Sequence, residues 1–370
     1  MTRIRSIELH LIAIPLVRPF RTSFGESTEK VCILARVETD DAVGWGECVS
    51  DVEPSFSEEW NEGAWLMIRD LLAPALFAAG DLEAELVASV LSFVRGQPMA
   101  KATLVNAVLD AELRAQGRSL ASYLGAVRDR VECGVSVGIA PSTDVLLEQV
   151  AGYLAEGYRR IKLKIEPGTD VERVGAVREA NPEILLSVDA NAAYRLADIA
   201  VFKQLDAFGL LMIEQPLHHE DVWEHSLLQR EIRTDICLDE SIRSAADARA
   251  AIELGACRIV NIKQGRVGGL LEARRVHDVA SELDVPVWCG GMLETGVGRS
   301  TNLALAALPN FRLPGDTSAT SRYFADDLTE PLVLAPDGTL PVPDGPGIGV
   351  EPDPRRLEAA TLRTEVLEKE

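Results

Sequence analysis

The chain has 370 residues, 47% hydrophobic and 26% charged, too long for one small core and too ordinary in composition for a disordered segment. Its formal net charge of −21 excludes a surface built for nucleic acid or for an anionic membrane, because both need clustered Lys and Arg, so neither partner is expected. The six cysteines lack close pairs, which indicates neither a disulfide framework nor a zinc knot and suits a reducing cytoplasm.

At the N-terminus, Arg3 and Arg5 precede an apolar stretch that Glu8, His10 and Pro15 interrupt, and no small-residue cleavage site follows, so no leader peptide is expected. The alternation of Ile7, Leu9 and Leu11 with Glu8 and His10 predicts a strand instead. No segment reaches the roughly 18 uninterrupted apolar residues of a membrane helix. Strand-like pieces at 4–14 and 31–39, a Gly44-Trp45-Gly46-Glu47 turn and helical segments from 58 to 118 predict a separate α+β unit over 1–128.

From residue 131 onward, short β-branched runs alternate with longer Ala, Leu, Glu and Arg-rich stretches of helical spacing. The runs lie at 131–139, 160–165, 185–191, 210–217, 235–240, 258–263, 285–291 and, more weakly, 311–315. Eight runs alternating with helices predict a closed parallel (β/α) barrel over 129–320. Residues 321–370, rich in Pro, Gly and Asp until a last polar helix of Glu, Lys and Leu, are expected to return to the first unit.

The polar residues inside these runs keep step. Asp189, Glu214 and Asp239 are 25 positions apart, Lys164 precedes Asp189 by 25, and Lys263 follows Asp239 by 24. One strand, one helix and two loops per repeat predict all of these side chains at one height. Strand parity then separates Lys162 and Lys164 from Ile161, Leu163 and Ile165. It separates Asp189 and Asn191 from Val188, Glu214 from Ile213, Asp239 from Leu238, and Asn261 and Lys263 from Ile262. The apolar set covers the helices, so the charged set faces the barrel axis.

Buried charge is costly without partners, and a barrel interior is ordinarily branched and apolar. Three carboxylates on neighbouring strands, Asp189, Glu214 and Asp239, are suited to share a hard cation, magnesium or manganese. Lys164 and Lys263, on the second and sixth strands of eight, come from opposite walls, one on each side of a bound carboxylate's α-carbon. A neutral lysine there is a general base, its pKa brought down from about 10.4 by neighbouring cations. Two rival readings remain: a structural network in which three acids and three lysines neutralise one another, and a Schiff-base lysine. The regular step on consecutive strands speaks against the first, and the second leaves the three acids without work.

The stretch Lys162-Leu163-Lys164, the acids Asp189, Glu214 and Asp239, and Lys263 within "IVNIKQGRVGG" resemble the muconate-lactonising subgroup of the enolase superfamily. More closely, "PFRTSFG" (19–25), "GWGEC" (44–48), "CGVSVGI" (133–139), "RIKLKIEPG" (160–168), "CGGMLETGVGR" (289–299) and "LPGDTSA" (313–319) resemble the o-succinylbenzoate synthase and N-succinylamino acid racemase family. The resemblance covers essentially the whole chain. It implies a modified TIM barrel, (β/α)7β, with an α+β capping domain whose "PFRTSFG" loop closes over the site, and magnesium on Asp189, Glu214 and Asp239. Lys164 is then the base on one face, Lys263 its acid/base partner or a stabilising cation, and Lys162 an electrostatic aid. Substrate contacts are expected from Phe20, Phe24, Ser136, Asn191, Arg266, Gly291 and Met292, with Arg18 and Arg21 as candidates to hold a succinyl carboxylate. Glu240 is expected to support the metal ligands from behind.

The implied activity is α-proton transfer on N-succinyl or other N-acyl amino acids, dehydration to o-succinylbenzoate for menaquinone synthesis, or both, in a homo-oligomer acting on a small carboxylate. The alternatives are a dipeptide epimerase, a muconate-cycloisomerase-like enzyme, or a barrel that binds a carboxylate without turnover. The seventh strand, Val287-Trp288-Cys289-Gly290, carries no histidine base, since His277 falls on the preceding helix. Asp316 is followed by Thr317 and Ser318 rather than by the second alternating acid of the epimerases. Gln264, Phe56 and Ser321 depart from the Pro, Tyr and Asp expected by the same resemblance.

Overall fold

The computed structural model describes residues 2–23 and 25–369, and Phe24 lies outside them. Three antiparallel strands, Thr2–Thr22, Gly25–Thr39 and Val43–Cys48, form the centre and one edge of the five-stranded sheet of the cap. Helix Pro98–Ala115 lies on that sheet and is buried on nearly every side. The approach is set by Gly44 and Gly46: a Cβ at either would run into the helix backbone, at the Ala107 and Thr103 carbonyl oxygens. Trp45 between them is fixed by its amide, which donates to Asp110 Oδ2 at 2.8 Å, and by its indole N–H, which donates to Glu351 at 3.0 Å.

Seven parallel strands follow in sequential order: Gly134–Val137, Arg160–Lys164, Leu185–Asp189, Ile213–Glu214, Ile236–Leu238, Ile259–Ile262 and Val287–Cys289. Helices alternate with them, and their ends carry ordinary stop and start chemistry. Ser142, Asp221, Ser244 and Thr295 each accept a first-turn N–H, worth about 1 kcal/mol apiece, and Gly157 and Gly255 close helices at φ 102° and 74°. The eighth run is not a strand. Residues around Phe311 and Gly315 make only isolated parallel bridges to Val287 and Cys133, with Asp316 N donating to Cys289 O and Gly134 N to Gly315 O. Pro314 has no N–H to extend a ladder, so the barrel closes (β/α)7β through two bridges.

Outward-facing Ile161, Leu163, Val188, Ile213, Leu238 and Ile262 join the main core. Inside the barrel, Met212, Cys237, Ile259 and Trp288 form a small apolar floor of their own. These four share strand parity with Glu214, Asp239, Asn261 and Gly290, so the interior is apolar below and charged above.

The tail differs from its sequence reading. The final helix is Pro354–Ala360, and Thr361–Glu368 is a strand that pairs antiparallel with Thr2–Thr22, Ile7 opposite Leu367. The Glu, Lys and Leu content suggests a helix there, yet the open edge of the cap sheet offers backbone partners, and pairing outweighs weak propensity. All six cysteines are buried and free, and among the described residues no helix is long and apolar enough to cross a membrane.

Candidate active site

Lys162 and Lys164 stand on the inward face of the second barrel strand. The ladder sets Lys164 opposite Asp189, and Asp189 opposite Glu214. One height, however, does not extend to all five repeat positions. Glu214 pairs with Cys237, two residues short of Asp239, and Leu238 pairs with Val260, which sets Asp239 level with Asn261, two short of Lys263. Barrel closure requires staggered register, so equal sequence spacing climbs the wall while the side chains converge.

They converge on one charged cluster. Lys162 Nζ donates to Glu214 Oε2 at 2.8 Å and lies 2.7 Å from Asp316 Oδ2 and 3.2 Å from Asp189 Oδ2. Lys164 Nζ donates to Asp189 Oδ2 at 2.7 Å and to Asn191 Oδ1 at 2.6 Å. Lys263 Nζ donates to Asp239 Oδ2 at 2.8 Å, and Arg266 pairs with the same carboxylate. Asn261 donates to Glu214 Oε1 at 2.7 Å, and Asn191 to Glu240 Oε1 at 3.0 Å. Beneath, Arg160 and Lys162 lie over the Trp288 ring at 4.8 and 4.7 Å, and Arg160 donates to Asp316 at 2.7 Å.

Electrostatics sort these groups. Burial works against the Lys162 ammonium, but Asp316, Glu214 and Asp189 outweigh it and hold its pKa well above the usual lysine value. Burial likewise opposes ionisation of Asp189 and of Asp316, yet Lys164 and Lys162 for the first, Lys162 and Arg160 for the second, keep both well below the ordinary carboxylate range. Glu214 and Glu240 are pushed up, by burial first and then by Asp189. The buried Glu240 Oε2 accepts no hydrogen bond among the described residues.

A cavity of about 440 Å³ opens above the cluster. Lys162, Lys164, Lys263, Ser136, Asn191, Gly291, Met292 and Phe20 all line it, so the facing lysines look into one chamber from strands four apart. Asp189, Glu214 and Asp239 lie under those lysines, each at most 1% exposed. Arg266 sits behind the wall, lining a second cavity of about 410 Å³ with Glu240 and Phe56. Its Nε and Nη2 donate to the Ile242 and Asn261 carbonyls, and burial brings it down to about 9, still a cation at neutral pH. Arg18 and Arg21 do not line the chamber; Arg21 lies 3.5 Å from Glu166 on the outside.

Several residues acquire roles that sequence reasoning did not give them. Phe56 is the ring over which the Lys263 ammonium lies, at 4.6 Å, and Gln264 accepts from Asn106 of the cap helix at 2.6 Å. Asp316 pairs with Arg160 and Lys162. Tyr323 and Lys30 line the chamber from the tail and the cap. Lys30 had a signal: it shares parity with buried Cys32 and Leu34, one residue before the point where the apolar pattern of that strand begins. His277 is structural, accepting from Asn310 N and stacked on Phe311.

This arrangement, an apolar-floored barrel with a charged mouth under an α+β cap, is that of the enolase superfamily, and the chain belongs to it. Residues 145–356 match the enolase C-terminal domain-like family, and residues 6–125 match the N-terminal domain of the mandelate racemase and muconate lactonizing enzymes. Among its relatives, an N-succinylamino acid racemase from Amycolatopsis sp is 57% identical over 360 residues, 97% of this chain and 98% of that one. An o-succinylbenzoate synthase from Geobacillus kaustophilus is 47% identical over 359 residues, 97% and 96% of the two chains. The solved structure of an enolase-superfamily member from Listeria innocua superposes with TM-score 0.95 at 39% identity over the full length of both.

Proposed function

We propose that this enzyme moves the α-proton of N-acyl amino acids, above all N-succinyl ones, and that the same site dehydrates the precursor of o-succinylbenzoate. The observation that carries the reading is the pair Lys164 and Lys263, set on strands four apart and lining one chamber above buried carboxylates.

The donor chemistry fits a hard divalent cation, magnesium or manganese, on Asp189, Glu214 and Asp239: an all-oxygen set from three adjacent strands, with Glu214 pushed up beside Asp189 and a spare buried oxygen on Glu240. As they stand, no three acids among the described residues are arranged around one point, and the ammonium groups of Lys162, Lys164 and Lys263 supply the countercharge. When bound, such a cation supplies charge stabilisation at the substrate carboxylate.

The remaining work falls to the chain. Lys164 in its neutral amine form takes the α-proton on one face and becomes an ammonium, while Lys263 as an ammonium gives a proton to the other face and becomes the amine, which inverts the carbon. Lys162, held cationic, stabilises the negative charge of the enediolate. In the dehydration Lys263 stays an ammonium facing that charge while Lys164 hands its proton to the leaving hydroxyl. Asp316, tied up by Arg160 and Lys162, is not free to hold an amino terminus, which argues against dipeptide epimerisation. The test is to assay racemisation of N-succinyl amino acids and formation of o-succinylbenzoate side by side with magnesium. Both are expected to stop with chelator, and activity indifferent to chelator on both would overturn the reading.

A further inference from the structure

The chamber is lined on one side by the barrel and on the other by the cap, and the two sides differ in how their charges are engaged. Four lysines and no arginine line it among the described residues: Lys162, Lys164, Lys263 and Lys30. The first three are bound to barrel carboxylates at 2.7–2.8 Å. Lys30 is different. It is 2% exposed, and among the described residues its Nζ makes one hydrogen bond, to Val49 O at 3.3 Å, and its nearest acid, Asp51 Oδ1, is 3.7 Å away, beyond hydrogen-bond reach. An ammonium has three N–H donors, so two of them have no close acceptor among the described residues. A buried cation left in that condition is costly unless a ligand completes it.

The surroundings indicate what would complete it. Val31, Val52 and Phe20 line the same chamber and suit methylene groups, while Ser27 and Thr28 add hydroxyls. Glu26, Glu29, Asp51 and Glu53 also line the cap side, so Lys30 is the one cation on that side among the described residues and the one charged group there that attracts a carboxylate. Burial disfavours its charge, but Asp51, Glu47 and Glu294 keep Lys30 an ammonium. With the α-carbon between Lys164 and Lys263, the side chain and the acyl tail are the two groups left to extend from it, and in an N-succinyl amino acid with an apolar side chain only the acyl tail ends in a second carboxylate. An acyl tail ending in a carboxylate would reach a buried cation, with apolar contacts for the methylenes on the way.

We infer that Lys30 binds the distal carboxylate of a dicarboxylic acyl group such as succinyl, so that the cap selects succinylated over acetylated amino acids. This rests on the proton-transfer reading above. Asp51 is then a competitor for the ammonium that the incoming carboxylate displaces.

The experiment uses the full-length enzyme with magnesium on N-succinyl-phenylalanine and N-acetyl-phenylalanine, following α-hydrogen exchange in deuterated water. Exchange by the wild type is measured first, and its absence on both compounds would sink the proton-transfer reading and this assignment with it. Given exchange, Lys30→Met is expected to lower the preference for the succinyl compound, as a ratio of kcat/KM, by roughly 10- to 100-fold, through KM. Lys30→Arg is expected to restore most of it. Asp51→Asn, a change at a half-exposed position that tests the idea without disturbing the core, is expected to lower KM for the succinyl compound more than for the acetyl one. A Lys30→Met variant whose two KM values rise together, or an Asp51→Asn variant that leaves their ratio unmoved, would overturn the assignment.

Discussion

Lys162 carries two acids of different origin, Glu214 on the fourth barrel strand and Asp316, which lines the chamber, and its ammonium is 2.7 Å from the latter. Asp316 in turn is the acid that Arg160, fully buried, relies on. Removing one partner of a buried ionic group strands the others, which typically costs about 3–5 kcal/mol. Asp316→Asn is therefore expected to lower stability on that order in urea unfolding, and a loss under about 1 kcal/mol would show that Arg160 and Lys162 are neutralised by other means. The inward positions of Lys162, Asp189, Glu214 and Lys263 were legible because strand parity alone separates them from their apolar neighbours. The role of Asp316 was not, since its partners Arg160 and Lys162 are far away in sequence and meet it only when the barrel closes. Arg266 was expected at the substrate and stands behind Lys263 instead: parity says nothing of a residue three beyond the strand.

Among the elements, the cap helix and its sheet meet through Gly44 and Gly46. Gly46→Ala would drive a methyl group into the Thr103 carbonyl, and the backbone must move to relieve it. The expected loss is at least about 1–3 kcal/mol, read as a lower denaturation midpoint with unchanged slope. An unchanged midpoint would mean that the sheet and helix slide apart freely. The motif "GWGEC" was visible in the chain as a turn signal; its real use, a close crossing, needed the helix in place. The strand–helix alternation from 160 to 291 was legible for the opposite reason, because each strand pairs with the next one in sequence. The last strand was misread as helix because its partner, Thr2–Thr22, lies at the other end of the chain. The stagger of Asp239 and Lys263 above Glu214 follows from barrel shear, which a repeat length does not record.

At the scale of the whole molecule, Glu47 couples the cap to the barrel. It reaches across to accept from Thr295 N at 3.1 Å, Thr295 Oγ1 at 2.7 Å and Gly298 N at 2.9 Å. Its neighbour Glu294 accepts from Met292 N at 2.9 Å, in the loop that lines the chamber. Burial raises the Glu47 carboxyl from its ordinary 4.5 to about 6 against those hydrogen bonds, with Glu294 adding to the rise. The native state then holds a proton that the unfolded chain has lost, so the stability from this group is full below about pH 4.5 and falls as pH rises through about 6. The difference is about 2 kcal/mol. Glu47→Gln is expected to flatten that part of the stability profile relative to the wild type, and parallel profiles for the two proteins would refute the coupling.

Above this joint, the account depends on two lysines addressing opposite faces of one carbon. The direct measurement is exchange of the α-hydrogen in deuterated water with magnesium, on the separate enantiomers of an N-succinyl amino acid, for Lys164→Ala and Lys263→Ala. Each variant is expected to lose racemisation by roughly 10²–10⁴-fold yet keep exchange on one enantiomer, the opposite one in each case. Exchange of both enantiomers by either variant would contradict the two-faced site.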